Sequence, residues 1–294
     1  MREPLSHPIR IADVVTHRRS EETVDGIAEL LRCARETGVT LRVGPEEARK
    51  HPELLAYDAL DLSGEPVAPN ADLCITLGGD GTILSALRDY AGTGVPVFGI
   101  NFGVVGFLTT VDRDEMSEGF RRALAGDFEV LALPAIEATG QRGRWLAFND
   151  VSMHRQQGLR VADLQYCVGE QEVGRVRCDG LVVATPAGST GYNLANGGPV
   201  MAWGVAGYVV SFIAPHSFTA RTLVVAPDDE MSVANRSQEE PVDVTVDGRP
   251  ICVLEAGERL EARFVIDQGS LAQVPGTTFY QRLRQKFGRL ATPL

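Results

Sequence analysis

Up to Phe128, short apolar runs alternate with segments of helical period. Residues 9–15 read as a strand. Ser20 then caps a helix whose apolar positions, Val24, Ile27, Ala28, Leu31 and Ala34, recur at three- and four-residue spacing, and Gly38 suits its stop. Further β-runs cover 41–43 and 72–77, and a glycine turn separates the latter from a helical segment over 82–89. Residues 95–100 read as another strand, and Asp114 caps a helix with Met116, Phe120, Ala123 and Leu124 inward. Such strand–helix alternation predicts an open, largely parallel, Rossmann-like α/β domain over residues 1–128.

After Phe128 the period changes. Strand-like runs follow at 131–138, 145–154, 161–168, 181–184, 208–213, 222–225, 242–246, 251–254 and 260–266. Turn pairs such as Gly169-Glu170 and Asp247-Gly248 punctuate them, and no long helix intervenes. A β-rich, sandwich-like domain over 129–268 is expected. The tail, 269–294, turns helical. Phe279, Tyr280, Leu283, Phe287 and Leu290 fall on one face, and Arg282, Arg284 and Lys286 elsewhere. An amphipathic tail helix docking back on the N-terminal domain is the expectation.

The chain has 294 residues, ample for such a division, and its 44% apolar and 23% charged residues exclude a disordered, collagenous or coiled-coil protein. Net charge is −11, which argues against general nucleic-acid or anionic-membrane binding but leaves room for a local basic pocket. The five cysteines, Cys33, Cys74, Cys167, Cys178 and Cys252, lack CxxC spacing and read as free thiols of a reducing compartment, with no zinc site. His154 and His216 lack metal-ligand spacing and read as structural. The opening MREPLSHPIRIADVV has no apolar signal core, and the longest apolar stretch, 205–214, is too short to span a bilayer. A cytoplasmic location is expected. Only two lysines, Lys50 and Lys286, stand against 26 arginines, and both are distant in sequence from any glycine loop.

The first chemical signal is Leu77-Gly78-Gly79-Asp80-Gly81-Thr82, after a strand and before a helix. Glycines permit close backbone approach, and the helix start offers unpaired amides to an anion. A carboxylate there repels phosphate. It makes sense if Asp80 takes a proton from a hydroxyl or holds magnesium, both roles in phosphoryl transfer. A plain Asp-Gly turn is the alternative. Leu84 stands where a dinucleotide fingerprint has glycine or alanine, and no Gly-Lys-Ser/Thr of a Walker loop occurs. A second glycine loop, Gly99 through Gly103 and Gly106 to Leu108, ends a strand at the same sheet edge if the sheet is parallel. A third, from Asp179-Gly180 through Thr185-Pro186-Ala187-Gly188-Ser189-Thr190-Gly191-Tyr192-Asn193 to Pro199, is dense in hydroxyls and glycine that can bond phosphate, ribose or adenine edges. Asn149-Asp150 is a weaker polar pair after an apolar run. Asp247-Gly248 reads first as a hairpin turn, with Asp247 kept as a candidate nucleotide-binding residue.

In this order, Gly78–Thr82, 101–108, Asn149-Asp150, 179–199, 215–221 and the 279–286 tail resemble the NAD kinase family, which uses ATP or polyphosphate. The resemblance implies transfer of a phosphoryl group from ATP or polyphosphate to the 2′-hydroxyl of the adenosine ribose of NAD, giving NADP. Asp80 then corresponds to the catalytic base. Gly79, Gly81 and Thr82 shape the loop that meets nucleotide phosphates, and Phe107 packs against the dinucleotide. Asn149 and Asp150 match the family's Asn-Glu pair, Asp179 its ribose- or amide-contacting aspartate, and Thr190, Gly191 and Tyr192 its adenine-pocket residues. A divalent cation, usually magnesium, is expected on the phosphates without a protein metal site, as is a homodimer or homotetramer. NAD and ATP are the expected partners. Three departures stand out: Asp150 replaces the usual glutamate, Ala187 and Gly191 stand where a hydroxyl and an alanine are common, and Thr16-His17-Arg18-Arg19 lacks a glycine-rich opening.

Two alternatives belong to other classes. Lipid kinases of the diacylglycerol or sphingosine type resemble this chain in the Gly-Gly-Asp-Gly-Thr loop, but the acidic charge and the 179–192 block count against a lipid acceptor. A non-catalytic NADP-binding module has no need of the base that Asp80 offers.

Overall fold

A computed structural model describes residues 2–4, 8–62, 70–103 and 106–288. Leu290, and Val104 and Val105 within the 101–108 block, lie outside the described residues. The chain divides into two units, Met1–Ala132 with Gln268–Leu294, and Leu133–Asp267.

The first unit is built on β1 (Ile11–Thr16), β2 (Thr40–Arg42), β3 (Leu60–Asp61), β4 (Leu73–Gly78) and β5 (Val97–Asn101). All pair in parallel, in the order β3-β2-β1-β4-β5. β4 is buried at every position, the continuous apolar run that a strand covered on both faces requires. The helices are α1 (Val24–Thr37), α2 (Asp80–Asp89) and α3 (Met116–Ala125). α1 buries Ile27, Leu30, Leu31, Cys33 and Ala34, while Val24 and Ala28, expected inward, are exposed. Val24 and Ala28 lie at the margin of the apolar stripe, beside Arg35 and next to the charged face of Asp25, Glu29, Arg32 and Glu36, so packing against the sheet and Phe120 of α3 leaves them outside the seam. Ser20 opens a 3-10 turn, Ser20–Glu22, instead of capping α1. The strand order changes direction between β1 and β4, and in open α/β sheets ligands bind at the carboxyl ends of strands beside such a point.

The second unit contains β6 (Asp150–Arg155), β7 (Ala162–Val168), β8 (Gln171–Cys178), β9 (Gly180–Ala184), β10 (Tyr208–Ile213), β11 (Leu223–Val225), β12 (Met231–Asn235), β13 (Val242–Val246), β14 (Arg249–Leu254) and the start of β15 (Arg259–Gln273). One antiparallel layer runs β11-β10-β9-β6-β13-β14, and the other includes β8-β7-β12-β15. Val151, Met153, Leu181 and Val183 of the first layer share a core with Leu164, Met231, Val233 and Leu260 of the second. Burial of alternate residues drives this arrangement. β8 and β12 were not legible as strands: Gln-Glu-Val-Gly-Arg-Val-Arg-Cys is mostly exposed and pairs only because the turn at Gly169 folds it onto β7. The fold class is α/β plus a two-layer β unit, as the alternation of periods predicts.

The tail forms α4 (Phe279–Phe287), capped reciprocally by Thr278 and Gln281. It buries Phe279 and Leu283 as expected, but Tyr280 is 69% exposed and Arg282 is buried, donating from Nη2 to the Thr110 carbonyl at 2.7 Å. Both α4 and that carbonyl belong to the first unit. Among the described residues no helix is long and apolar enough to cross a membrane.

Candidate functional site

Two clusters carry the predicted residues, each within its own unit. In the first unit, β4 ends at Gly78, Gly79 is the extended N-cap of α2, and Asp80 begins that helix. Asp80 is therefore the first helical residue, not the centre of a loop. Its Oδ2 accepts from the main-chain N of Phe107 at 2.9 Å and its Oδ1 from that of Leu108 at 3.0 Å. Each carboxylate oxygen keeps a lone pair after one such bond. Gly106 makes this approach feasible, since a Cβ there would lie 2.2 Å from Asp80 Oδ1. The second glycine loop thus reaches the first, as the parallel-sheet reading expects. A cavity of about 240 Å³ lies against Gly78, Gly79, Asp80, Gly103 and Gly106, with His17, Glu22, Phe102 and Lys286 around it. A Cβ at Gly79 or at Gly81 would meet nothing, so the main chain of the α2 start is open on that side. Thr82 is half-buried, its N bonded to the Gly79 carbonyl.

The Phe107 ring, expected against a dinucleotide, is 3% exposed here. It packs against Phe279 and Phe287 of α4, with Lys286 Nζ 4.9 Å from its centroid. His17, within the 16–19 segment that lacks a glycine-rich opening, is brought to Gly78 by the switch in strand order and a bond from its N to the Leu77 carbonyl.

In the second unit the organising residue is Asp247. It has φ +47 at the β13–β14 turn, so it does form the hairpin. Its carboxylate also accepts from the main-chain N of Asn149 at 2.7 Å and, at 3.3 Å, from those of Phe148 and Asp150. These bonds interrupt the single strand expected over 145–154, setting Phe148-Asn149 in a bend from which Asp150 opens β6. Asp150 is buried with no hydrogen bond to its side chain among the described residues, and burial, then the neighbouring Asp247 charge, push its carboxyl up to about 7.

The 185–193 loop uses its hydroxyls internally. Thr185 Oγ1 donates to the Phe148 carbonyl at 2.6 Å, Ser189 Oγ to the Pro186 carbonyl at 2.7 Å and Thr190 Oγ1 to the Ala187 carbonyl at 3.1 Å. The expected supply of free hydroxyls is thus reduced to their lone pairs. Gly188 closes on the Asn149 turn, because a Cβ there would lie 2.0 Å from the Asn149 carbonyl oxygen. Gly191 is exposed, and the half-buried Tyr192 stacks on His154 with centroids 5.5 Å apart. The His154 Nε2 bonds Ser152 Oγ at 2.8 Å, a partner that the reading of His154 as structural anticipated. Asp179 is paired with the Arg155 guanidinium through Oδ1.

Among the described residues no three of His, Cys, Asp and Glu converge to hold a metal ion. The donor set fits a divalent cation carried on phosphates, with Asp80 as the one carboxylate on the cavity's glycine loop.

Residues 14–128 match the ATP-NAD kinase N-terminal domain and residues 148–264 the ATP-NAD kinase C-terminal domain. An NAD kinase of Gemmatimonas aurantiaca is 39% identical over 74% of this chain and 77% of its own. One of Lachnoclostridium phytofermentans is 30% identical over 94% and 98%. Among solved structures, a yeast NADH kinase complexed with NADH superposes with TM-score 0.82 at 22% identity, covering 98% of this chain and 91% of that one. An Archaeoglobus fulgidus NAD kinase in complex with ATP gives 0.71 at 24%, covering 95% and 97%. At those identities the two structures speak for the fold, while the domain matches and the bacterial relatives decide the lineage: the chain belongs to the ATP-NAD kinase family.

Proposed function

We infer that this chain transfers the terminal phosphoryl group of ATP to the 2′-hydroxyl of the adenosine ribose of NAD, forming NADP. The observation that carries the reading is Asp80, oriented by two consecutive main-chain amides at the edge of a glycine-lined cavity. The hydroxyl oxygen attacks the γ-phosphorus, the bond from that phosphorus to the β,γ-bridging oxygen breaks, and ADP leaves. Asp80 accepts the hydroxyl proton. A base in this position contributes about 10²–10⁴-fold. The open main chain of Gly79 and Gly81, with Thr82, lines the donor phosphates' approach to the α2 start. Magnesium bound on the donor phosphates would supply charge neutralisation of the transferring group, with Asp80 the carboxylate available to it on the glycine loop.

Asn149, Asp150, Asp179, Thr190, Gly191, Tyr192 and Asp247 are proposed to serve NAD. Asp247 does so by holding the amides of Asn149 and Asp150 at the start of β6, and Tyr192 by offering a ring to the adenine. Phe107 is proposed to act through its amide and by seating α4. Polyphosphate as a second donor and a homodimer or homotetramer rest on the family resemblance alone, and a cytoplasmic location rests on the five free cysteines.

The test is NADP formation by purified protein with magnesium and NAD, run in parallel with ATP and with polyphosphate. NADP is read by an NADP-specific dehydrogenase. Product with ATP is expected. No product, from protein that still binds NADP, would replace the kinase reading with that of a binding module.

A further inference from the structure

We propose that Lys286 of the tail helix is the residue that receives the donor's phosphate charge, in the place of a loop lysine that this chain lacks. The proposal rests on the reading of the Gly78–Asp80 cavity as the donor site and assigns it a ligand from the far end of the chain. The cavity holds two carboxylates, Asp80 and Glu22, among glycines. Without a cation it would repel a polyphosphate. His17 and Arg19 both pair with Glu22, His17 Nδ1 to Oε2 at 3.2 Å and Arg19 Nη1 to Oε1 at 2.9 Å, so both are already engaged and Asp80 is left as the uncompensated carboxylate. Among the described residues, Lys286 is the only ammonium or guanidinium lining the cavity.

Its position is built. Phe279 and Leu283 bury the first turns of α4, and Phe279 and Phe287 clamp the Phe107 ring. The Lys286 ammonium then rests over that ring, 4.9 Å from its centroid. A cation–π contact places the charge without occupying its three N–H donors, and Lys286 has no hydrogen bond or ion pair among the described residues. Phe107 thereby ties the two groups together, since its amide holds Asp80 and its face holds Lys286. A lysine that merely suited the C-terminal turn of a helix would not need this seat.

The experiment uses the full chain with Lys286→Met and Lys286→Arg. Steady-state NADP formation is measured with MgATP and NAD varied in turn, and binding of magnesium tripolyphosphate by calorimetry. Lys286→Met is expected to raise the KM for ATP, and the Kd for tripolyphosphate, by about 10- to 100-fold, the effect of losing a charged hydrogen bond. The KM for NAD and the melting temperature should stay near wild type, and Lys286→Arg should recover most of the loss. An unchanged KM for ATP in Lys286→Met, or equal losses toward ATP and NAD, overturns the proposal. Wild type that makes no NADP sinks the functional reading instead. In that case tripolyphosphate binding equal in wild type and Lys286→Met overturns the role of Lys286 as well, and a loss in the variant upholds it.

Discussion

The Asp80 Oδ2 accepts a 2.9 Å hydrogen bond from the main-chain N of Phe107, 27 residues further along. Leu108 repeats the contact on the other oxygen, so the carboxylate is held at two points before any substrate arrives. Asp80→Asn replaces one acceptor by an NH2 that faces an amide donor. Turnover should fall about 10²–10⁴-fold. Stability should fall by about 1–3 kcal/mol, leaving the fold and NAD binding in place. Kinetics together with a melting curve and NAD calorimetry check this, and a near-wild-type rate would remove Asp80 from the mechanism.

The same carboxylate depends on a missing side chain. Gly106→Ala would set a methyl 2.2 Å from Asp80 Oδ1. Because both oxygens are held by amides, the carboxylate has little room to yield. Displacement of about 1 Å at a reacting group costs about 100-fold in rate. The expected signature is a loss in kcat much larger than any change in the KM for NAD, read in the NADP assay.

Asp150 gives a pH-dependent prediction. Its carboxyl is raised to about 7, so the folded protein binds a proton more tightly there than the unfolded chain does. Stability from this group is present at low pH, declines as pH passes the unfolded value near 4, and is fully lost above about 7. Asp150→Asn removes the penalty. The variant should gain melting temperature over wild type, and its advantage should be about 2 kcal/mol greater at pH 8 than at pH 5. Melting series across that range test it, and an advantage independent of pH would show that Asp150 is not the titrating group.

Two glycines of one loop should behave oppositely. At Gly188 a Cβ would meet the Asn149 carbonyl oxygen at 2.0 Å and its carbon at 2.4 Å, all main chain that cannot swing aside. Gly188→Ala should cost about 3 kcal/mol or more. At Gly191 the nearest atom is the Gly188 carbonyl oxygen at 3.3 Å, and φ is −97. Gly191→Ala should change stability by under about 1 kcal/mol. Denaturant unfolding of both variants settles the contrast.

Much of the fold was written in local pattern. The continuous apolar run of β4 and the alternation of Leu260, Ala262 and Phe264 in β15 declare a parallel and an antiparallel environment without reference to distant residues. The Gly-Gly-Asp-Gly-Thr string and the 179–193 block together carried the family resemblance, and through it the expectation of phosphoryl transfer to NAD. What local pattern could not carry was every relationship set by chain crossing. Lys286 and Gly79 are distant in sequence, yet both line one cavity, because α4 docks by Phe279 onto the ring of Phe107, the residue whose amide anchors Asp80. Asp247 reads as a turn residue and is one. Only the pairing of β6 with β13 delivers its carboxylate to the Asn149 amide, and that pairing is a property of the sheet's order, not of either strand alone. Residue type and period decide which segments bury which faces, whereas the identity of the groups that meet across the sheet is decided by tertiary packing.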